Sequence, residues 1–419
     1  MGRWNRTGKK VVPLKAGQNG SSQTAAPKPA GRSGSRKRRF AVIAVWIFVL
    51  VMLSGIVGYF IYEQQIKPGK HYRGYQITSR IERGDTADTH YLQYGSRILR
   101  YNRDGISVLD GEGTIFWTAA YNMQNPTVSM AGNYVAVAEV GGRQLFVYNE
   151  KGTASEMEIL SDILQISVSE QGEVAVLMQE EGRNEIQIID PYAAGDKKKV
   201  EILTYVEEDG YAMAIALSKD GAKLVTSYFL AEGNRLTSNL TFYNFTGVGQ
   251  GVNANRIVGI YPYEDVIFAE LAFLDNNTVC AYGDNRLSVF SMRQKPELRW
   301  EQEYSQRLRW TANNEDYIAV VIETEDVSTA GLLQVYEKGG SKTVERKLSF
   351  VCRGLGLHKE DFWVYSELEC LILRPGNKVK YEGEFQEGVQ YLFAGKEPDQ
   401  FFQVNGQYIE EMRLKDTAE

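Results

Sequence analysis

Val108-Leu109-Asp110-Gly111-Glu112-Gly113 and, 39 residues later, Val147-Tyr148-Asn149-Glu150-Lys151-Gly152 are two copies of one short fragment. Each sets two apolar or aromatic residues before Asp, Asn or Glu, with glycine three positions further on. Such a pair ends a strand, and the polar residue with its glycine opens a tight turn, because both tolerate left-handed backbone angles. The fragment returns as Phe242-Tyr243-Asn244-Phe245-Thr246-Gly247 and Val335-Tyr336-Glu337-Lys338-Gly339-Gly340. Weaker copies are Ile188-Ile189-Asp190, Val289-Phe290-Ser291, Ile372-Leu373-Arg374 and Tyr408-Ile409-Glu410. From Asp110 onward the steps are 39, 41, 54, 47, 46, 37 and 36 residues.

A second series runs in phase with the first from its second copy on. Its members are Ala131-Gly132-Asn133, Glu170-Gln171-Gly172, Lys219-Asp220-Gly221, Asp275-Asn276-Asn277, Asn313-Asn314-Glu315-Asp316, Lys359-Glu360-Asp361 and Lys396-Glu397-Pro398-Asp399. These are hairpin turns between strands. No amphipathic helix pattern is sustained from residue 90 onward. Two coincident periods of roughly 40 residues, all strand, describe the blades of a β-propeller with four strands each. The second blade reads Thr127–Met130, Tyr134–Val140, Gln144–Tyr148 and Ala154–Leu160. The third reads Leu164–Ser169, Glu173–Gln179, Asn184–Asp190 and Lys198–Leu203. The last unit supplies only Gly388–Ala394, Gln400–Val404 and Gln407–Leu414. Tyr75–Ile81 is the strand that can fill the gap, and closing the ring removes free sheet edges. The fold class is therefore all-β, with eight blades preferred and seven the alternative if the first and last units merge.

Asp110, Gly113 and Trp117, spaced Asp-x-x-Gly-x-x-x-Trp, resemble the repeat of pyrroloquinoline-quinone-type propellers. Arrangement and order over most of residues 40–414 also resemble an uncharacterised family of bacterial, single-pass, membrane-anchored propellers, a domain-of-unknown-function group with quinone-like or WD40-like repeats. The resemblance implies fold and no chemistry. Quinone enzymes of that superfamily use a vicinal cysteine pair and a calcium site; vicinal cysteines are missing here, which argues against a quinone dehydrogenase and leaves no cofactor expected.

Ahead of the propeller, Phe40 to Tyr62 carries no charge, proline or histidine. A helix of that length spans ~34 Å, enough for a ~30 Å hydrocarbon core. The run is longer than the apolar part of a cleaved signal and lacks an Ala-x-Ala-like exit, so it reads as an uncleaved signal anchor. The first 40 residues hold eleven Lys and Arg and no acid, with Arg36, Lys37, Arg38 and Arg39 abutting the apolar run. Basic flanks stay on the cytoplasmic side. The remaining chain has 36 basic and 53 acidic residues, a charge of −17. The expected organisation is a disordered basic cytoplasmic tail (1–39), a transmembrane helix (40–62), a short linker (63–74), an extracytoplasmic propeller (75–414) and a tail (415–419).

The chemistry on offer is narrow. Cys280, Cys352 and Cys370 form no CxxC pair, and His71, His90 and His358 lie far apart, so no metal site is expected. Blade phase puts Cys352 on the first and Cys370 on the third strand of the seventh blade, ~9.6 Å apart, so all three are expected as buried free thiols. Gly247-Val248-Gly249-Gln250-Gly251 lacks a following helix pattern and reads as a flexible loop, not a phosphate loop. Trp300, Trp310 and Trp363 are expected to pack between blades.

The candidate binding face is the rim holding the second-to-third turns and the blade-entry loops. The turns carry Arg103, Arg143, Arg183, Arg235 and Arg286, each near an acid (Asp104, Glu139, Glu181, Glu232, Asp284). The entry loops carry Tyr205, Tyr211, Tyr261 and Tyr263 with neighbouring acids. Tyrosine offers contact area with a polar tip, suited to a protein or a cell-envelope glycan. The bland alternative is that these are solvated turns. Nucleic acid is an unsuitable partner at −17. Two functions follow: a membrane-anchored binding, scaffolding or sensing propeller with no catalytic residues assigned, or an envelope hydrolase or lyase whose carboxylates (such as Glu207, Glu208, Glu264 and Asp265) converge. Carboxylates gathered in the central channel would favour the enzyme.

Overall fold

The computed structural model describes residues 34–61, 70–195, 197–233, 235–252, 254–326 and 328–416. They fall into two compact units, one ending at Gln64 and one beginning at Gln65. The first is a helix, Gly34–Ile61. It takes in residues 34–39, part of the stretch read as a disordered tail; the rest of that tail and most of the linker lie outside the described residues. Among the described residues no helix is long and apolar enough to cross a membrane. The side chains described for this helix run only from Val45 to Tyr59, and each large apolar one is exposed.

The second unit is eight antiparallel sheets of four strands. Blade 2, Pro126–Ala131, Tyr134–Glu139, Gln144–Tyr148 and Ala154–Glu158, shows the rule. Its second strand, Tyr-Val-Ala-Val-Ala-Glu, is buried on both faces between neighbouring sheets and so reads as a continuous apolar run. Its outermost strand, Ala-Ser-Glu-Met-Glu, meets protein on one face only and alternates. First strands of adjacent blades touch one another, which places them innermost. In blades 3 and 4 the unpaired inner edge is met by polar side chains of the preceding blade. The Val168 amide donates to Ser129 Oγ, Ile215 to Gln165 Oε1 at 2.8 Å, and Leu217 to Ser167 Oγ at 2.9 Å.

The repeated fragment is the turn between third and fourth strands. Asn149 Oδ1 accepts from the amides of Lys151 and Thr153, and Gly152 donates to the Asn149 carbonyl. Asp110 does the same for Glu112 and Thr114. Gly152 sits at φ +73°, and a Cβ there would lie 2.7 Å from Trp117 of the preceding blade. Gly340 seats on Trp300 in the same way, and Trp300 Nε1 donates to Lys338 O. Trp310 reaches Cys352 O and Trp363 reaches Leu392 O, each in the next blade. The tryptophans therefore join blades, as expected.

Gly74–Glu82 closes the ring as the outermost strand of the eighth blade, pairing with Tyr408–Lys415. Ahead of it Tyr72 N donates to Lys380 O and Arg73 N to Lys415 O. The seven-blade alternative is thereby excluded. Two expectations need correction. Cys352 precedes the inner strand of blade 7 (Gly354–His358) and is only partly buried, because that strand starts two residues later than the blade phase implied. Gly247–Gln250 is a single helical turn capped by Thr246, not an open loop.

Gly152→Ala should destabilise the folded chain by about 1–3 kcal/mol, since it adds both a left-handed strain and a clash with Trp117. Chemical denaturation of the two proteins checks it; an unchanged midpoint would show that the Trp–Gly seat does not join the blades.

Candidate functional site

Antiparallel order brings the blade-entry connections and the second-to-third turns to one rim, and the other turns to the opposite rim. All five predicted arginines lie on the entry rim, but they do not converge. Arg143 pairs with Asp162 at 3.1 Å, Arg183 with Glu180, Arg103 with Asp88 at 3.9 Å, and Arg286 with Glu301 and Glu303. The Arg143, Arg183 and Arg103 pairs are exposed and contribute at most ~1 kcal/mol each, while Arg286 is mostly buried. Two of the nearby acids serve the backbone instead: Glu139 accepts from Gln124 N and Asp284 from Ile267 N, pinning entry loops.

The tyrosines divide. Tyr205 and Tyr211 flank a helical turn, Val206–Asp209, and are 58% and 53% exposed. Tyr261 and Tyr263 are not loop residues. They lie in the outermost strand of blade 4, Ile257–Glu264, where they pack on Phe242, Phe290 and Phe268. The alternation Ile-Val-Gly-Ile-Tyr-Pro-Tyr-Glu turns both rings inward to the next blade, so they form core rather than contact surface. The acid pairs are likewise local: Asp209 Oδ2 accepts from Tyr205 N, and Asp265 turns the chain at φ +57°.

Register adds what the residue pattern did not show. In five blades the innermost strand carries a bulge near its entry-rim end. The extra residues are Leu164, Met213, Ala269, Arg309 and Gln390, and each is exposed. A bulge re-aims one side chain out of the pleat, and repeating it at one level rings the channel mouth. Only local breaks in alternation, such as Ala212-Met213-Ala214, marked these sites in the sequence. On the entry rim around blades 3 and 4, Leu160 (83% exposed), Leu164, Tyr205, Tyr211 and Met213 stand exposed, and the connection between the two blades carries Glu207, Glu208 and Asp209.

Within the innermost strands, among the described residues, one carboxylate lies away from a strand end. It is Glu270, which follows the Ala269 bulge and accepts from Thr311 Oγ1. Water reaches it, yet the surrounding protein desolvates it and raises its pKa. A pair of carboxylates, as glycoside cleavage requires, is not assembled there. No group of three or more His, Cys, Asp or Glu among the described residues is placed to hold a metal. His71 meets Val379 O, and His90 stacks on Tyr101. The three cysteines are unbridged, and burial pushes the Cys352 thiol up to about 11.

Residues 68–414 match a family of unknown function, DUF5711. The crystal structure of BamB from Moraxella catarrhalis superposes with a TM-score of 0.50 at 14% identity, covering 81% of this chain and 100% of that one. Raptor from Chaetomium thermophilum gives 0.48 at 12%, covering 85% and 30%. AztD from Citrobacter koseri gives 0.44 at 11%, covering 72% and 87%. The likeness to BamB is one of fold alone. No curated protein matches the chain.

The raised pKa of Glu270 carries a sign. Folding favours its protonated form, so its contribution is fully present below the ordinary glutamate pKa and is lost as pH rises through the folded value. Glu270→Gln should therefore raise Tm relative to the wild type at pH 7.5 and much less at pH 4. A gap that is equal at both pH values would show that burial does not govern this carboxyl.

Proposed function

We propose that this chain, which belongs to the family of unknown function DUF5711, is a membrane-anchored envelope propeller that captures a protein partner on its entry rim. The anchor is supported by the charge-free run Phe40–Tyr62 and by the exposed apolar side chains from Val45 to Tyr59. Left in water, that surface would cost ~25 cal/mol per Å². The eleven basic residues before the run favour a cytoplasmic N-terminus and an extracytoplasmic propeller.

The observation that carries partner capture is the bulged mouth at blades 3 and 4. Leu164 and Met213 are turned out of their sheets beside Leu160, Tyr205 and Tyr211, with Glu207, Glu208 and Asp209 at the edge. Isolated exposed apolar residues are ordinary, whereas a cluster rimmed by charge is how binding surfaces are built. The acids suit a partner segment that presents apolar side chains next to Lys or Arg. The rim is also free of the chain's own entry: Tyr72 and Arg73 are bound at the opposite rim, beside Lys380 and Lys415.

Photo-crosslinking groups at Leu160 and Tyr211 in intact cells should give a discrete protein adduct, reduced at least fivefold by Met213→Lys. A group at Asn133, on the opposite rim, should not give that adduct. Equal adducts at all three positions would remove the assignment. Protease applied to the outside of intact cells should cut the propeller and spare an N-terminal tag; the reverse pattern would overturn the topology.

A further inference from the structure

Where the ring closes, a cavity of ≈530 Å³ opens on the entry rim between the eighth blade and the connection that leads from it into the first. It is lined by the end of the closing strand and the connection after it (Glu82, Arg83, Asp85, Thr86, Ala87), and by Gln390, Gln407 and Tyr408. Its floor is Arg83, a guanidinium more than nine-tenths buried. Nε donates to Asp85 and to Tyr91 OH, and Nη1 donates to Gln390 Oε1 and Asn405 O, both at 2.9 Å. Arg100 holds the Arg83 carbonyl from below. Nη2 takes no acceptor among the described residues and is not sealed from solvent. The result is a donor fixed in place before any ligand arrives, at the base of a cavity of ordinary ligand-site size.

The charges select what fits. Asp85 is answered by Arg83 at 3.0 Å and by Arg100 at 3.8 Å, while Glu82 stands exposed at the edge. A compact anion would meet Glu82 and Asp85, and a cation would meet Arg83. A neutral ligand rich in hydroxyls meets neither cost, and it can use Nη2 and the Gln390 and Gln407 amides. Tyr408, half-buried and with one face held by the Arg80 guanidinium 4.7 Å away, adds the aromatic surface on which the C–H face of a pyranose packs. Gln390 is also one of the bulged residues, so the device that shapes the mouth turns an amide into this cavity's wall.

We propose that the seam cavity is a saccharide subsite, taking a neutral sugar unit of an envelope glycan. The envelope setting rests on the topology proposed above; the chemistry of the site does not. The test uses the full chain in lauryldimethylamine oxide, a detergent without a sugar headgroup. Saturation-transfer NMR is run with N-acetylglucosamine tetramer, with maltotetraose and with inorganic phosphate as competitor. At least one neutral oligosaccharide should show saturable transfer, weakened several-fold by Gln407→Ala and at least tenfold by Ala87→Trp. The latter fills the cavity from an exposed position and touches none of the Arg83 bonds, and circular dichroism confirms that it folds. Absence of transfer from both sugars, transfer that survives Ala87→Trp, or displacement by phosphate would each overturn the assignment. Crosslinking at Tyr211 should be unchanged in Ala87→Trp, so failure of the sugar site does not fall on partner capture.

Discussion

The pairing of Gly74–Glu82 with Tyr408–Lys415 is the constraint on which the rest of the propeller depends. Without it the eighth blade has three strands, Tyr408–Lys415 loses its pairing partner, and the first and last segments of the propeller are no longer held together. The contact joins residues more than 320 positions apart, yet loop-closure entropy grows only with the logarithm of length. Specific chemistry reinforces it. Arg80 reaches the buried Glu410, which Gln403 and Asn405 also hydrogen-bond. On the opposite rim Lys380, wholly buried, bonds to Asp361 and to the Pro398 carbonyl while Arg374 shares the same aspartate. Burial lowers the Lys380 pKa, a cost that the paired carboxylate offsets.

Closure also decides where function can sit. A closed ring buries both faces of every second and third strand, so the side chains free to act lie on the rims, the outer strands and the channel edge. In blades 3 and 4 the inner edges are already occupied by Ser129, Gln165 and Ser167. That leaves the entry rim, where bulges release one residue from each of five blades, and the seam, where closure itself builds a cavity.

Much of the architecture was legible in the sequence. The turn fragment recurs because each blade ends its third strand in a tight turn, seated on a tryptophan of the preceding blade at Gly152 and Gly340, and that turn repeats every 36–54 residues. Strand spans in blades 2, 3 and 8 lie within about two residues of those expected, since turn residues punctuate them clearly. The arginines of the rim were legible as positions, but their partners were not: Arg143 takes Asp162 across the entry to the next blade, not its neighbour Glu139. Tyr261 and Tyr263 looked like loop residues because Pro262 stands between them, yet on an outermost strand proline costs no ladder bond.

By itself the sequence determined the repeat, the strand order within a blade and the split between a basic, apolar start and an acidic remainder. These follow from periodicity and charge, which are properties of neighbours along the chain. Eight blades over seven was decided by the pairing of the two chain ends. Only the tertiary structure decided which residues face outward at the mouth, since a bulge is a mismatch between two strands and exists only in their pairing. It alone brought Arg83 beside Asn405 and Gln390, more than 300 residues away, because the seam cavity has no existence until the two ends of the chain meet.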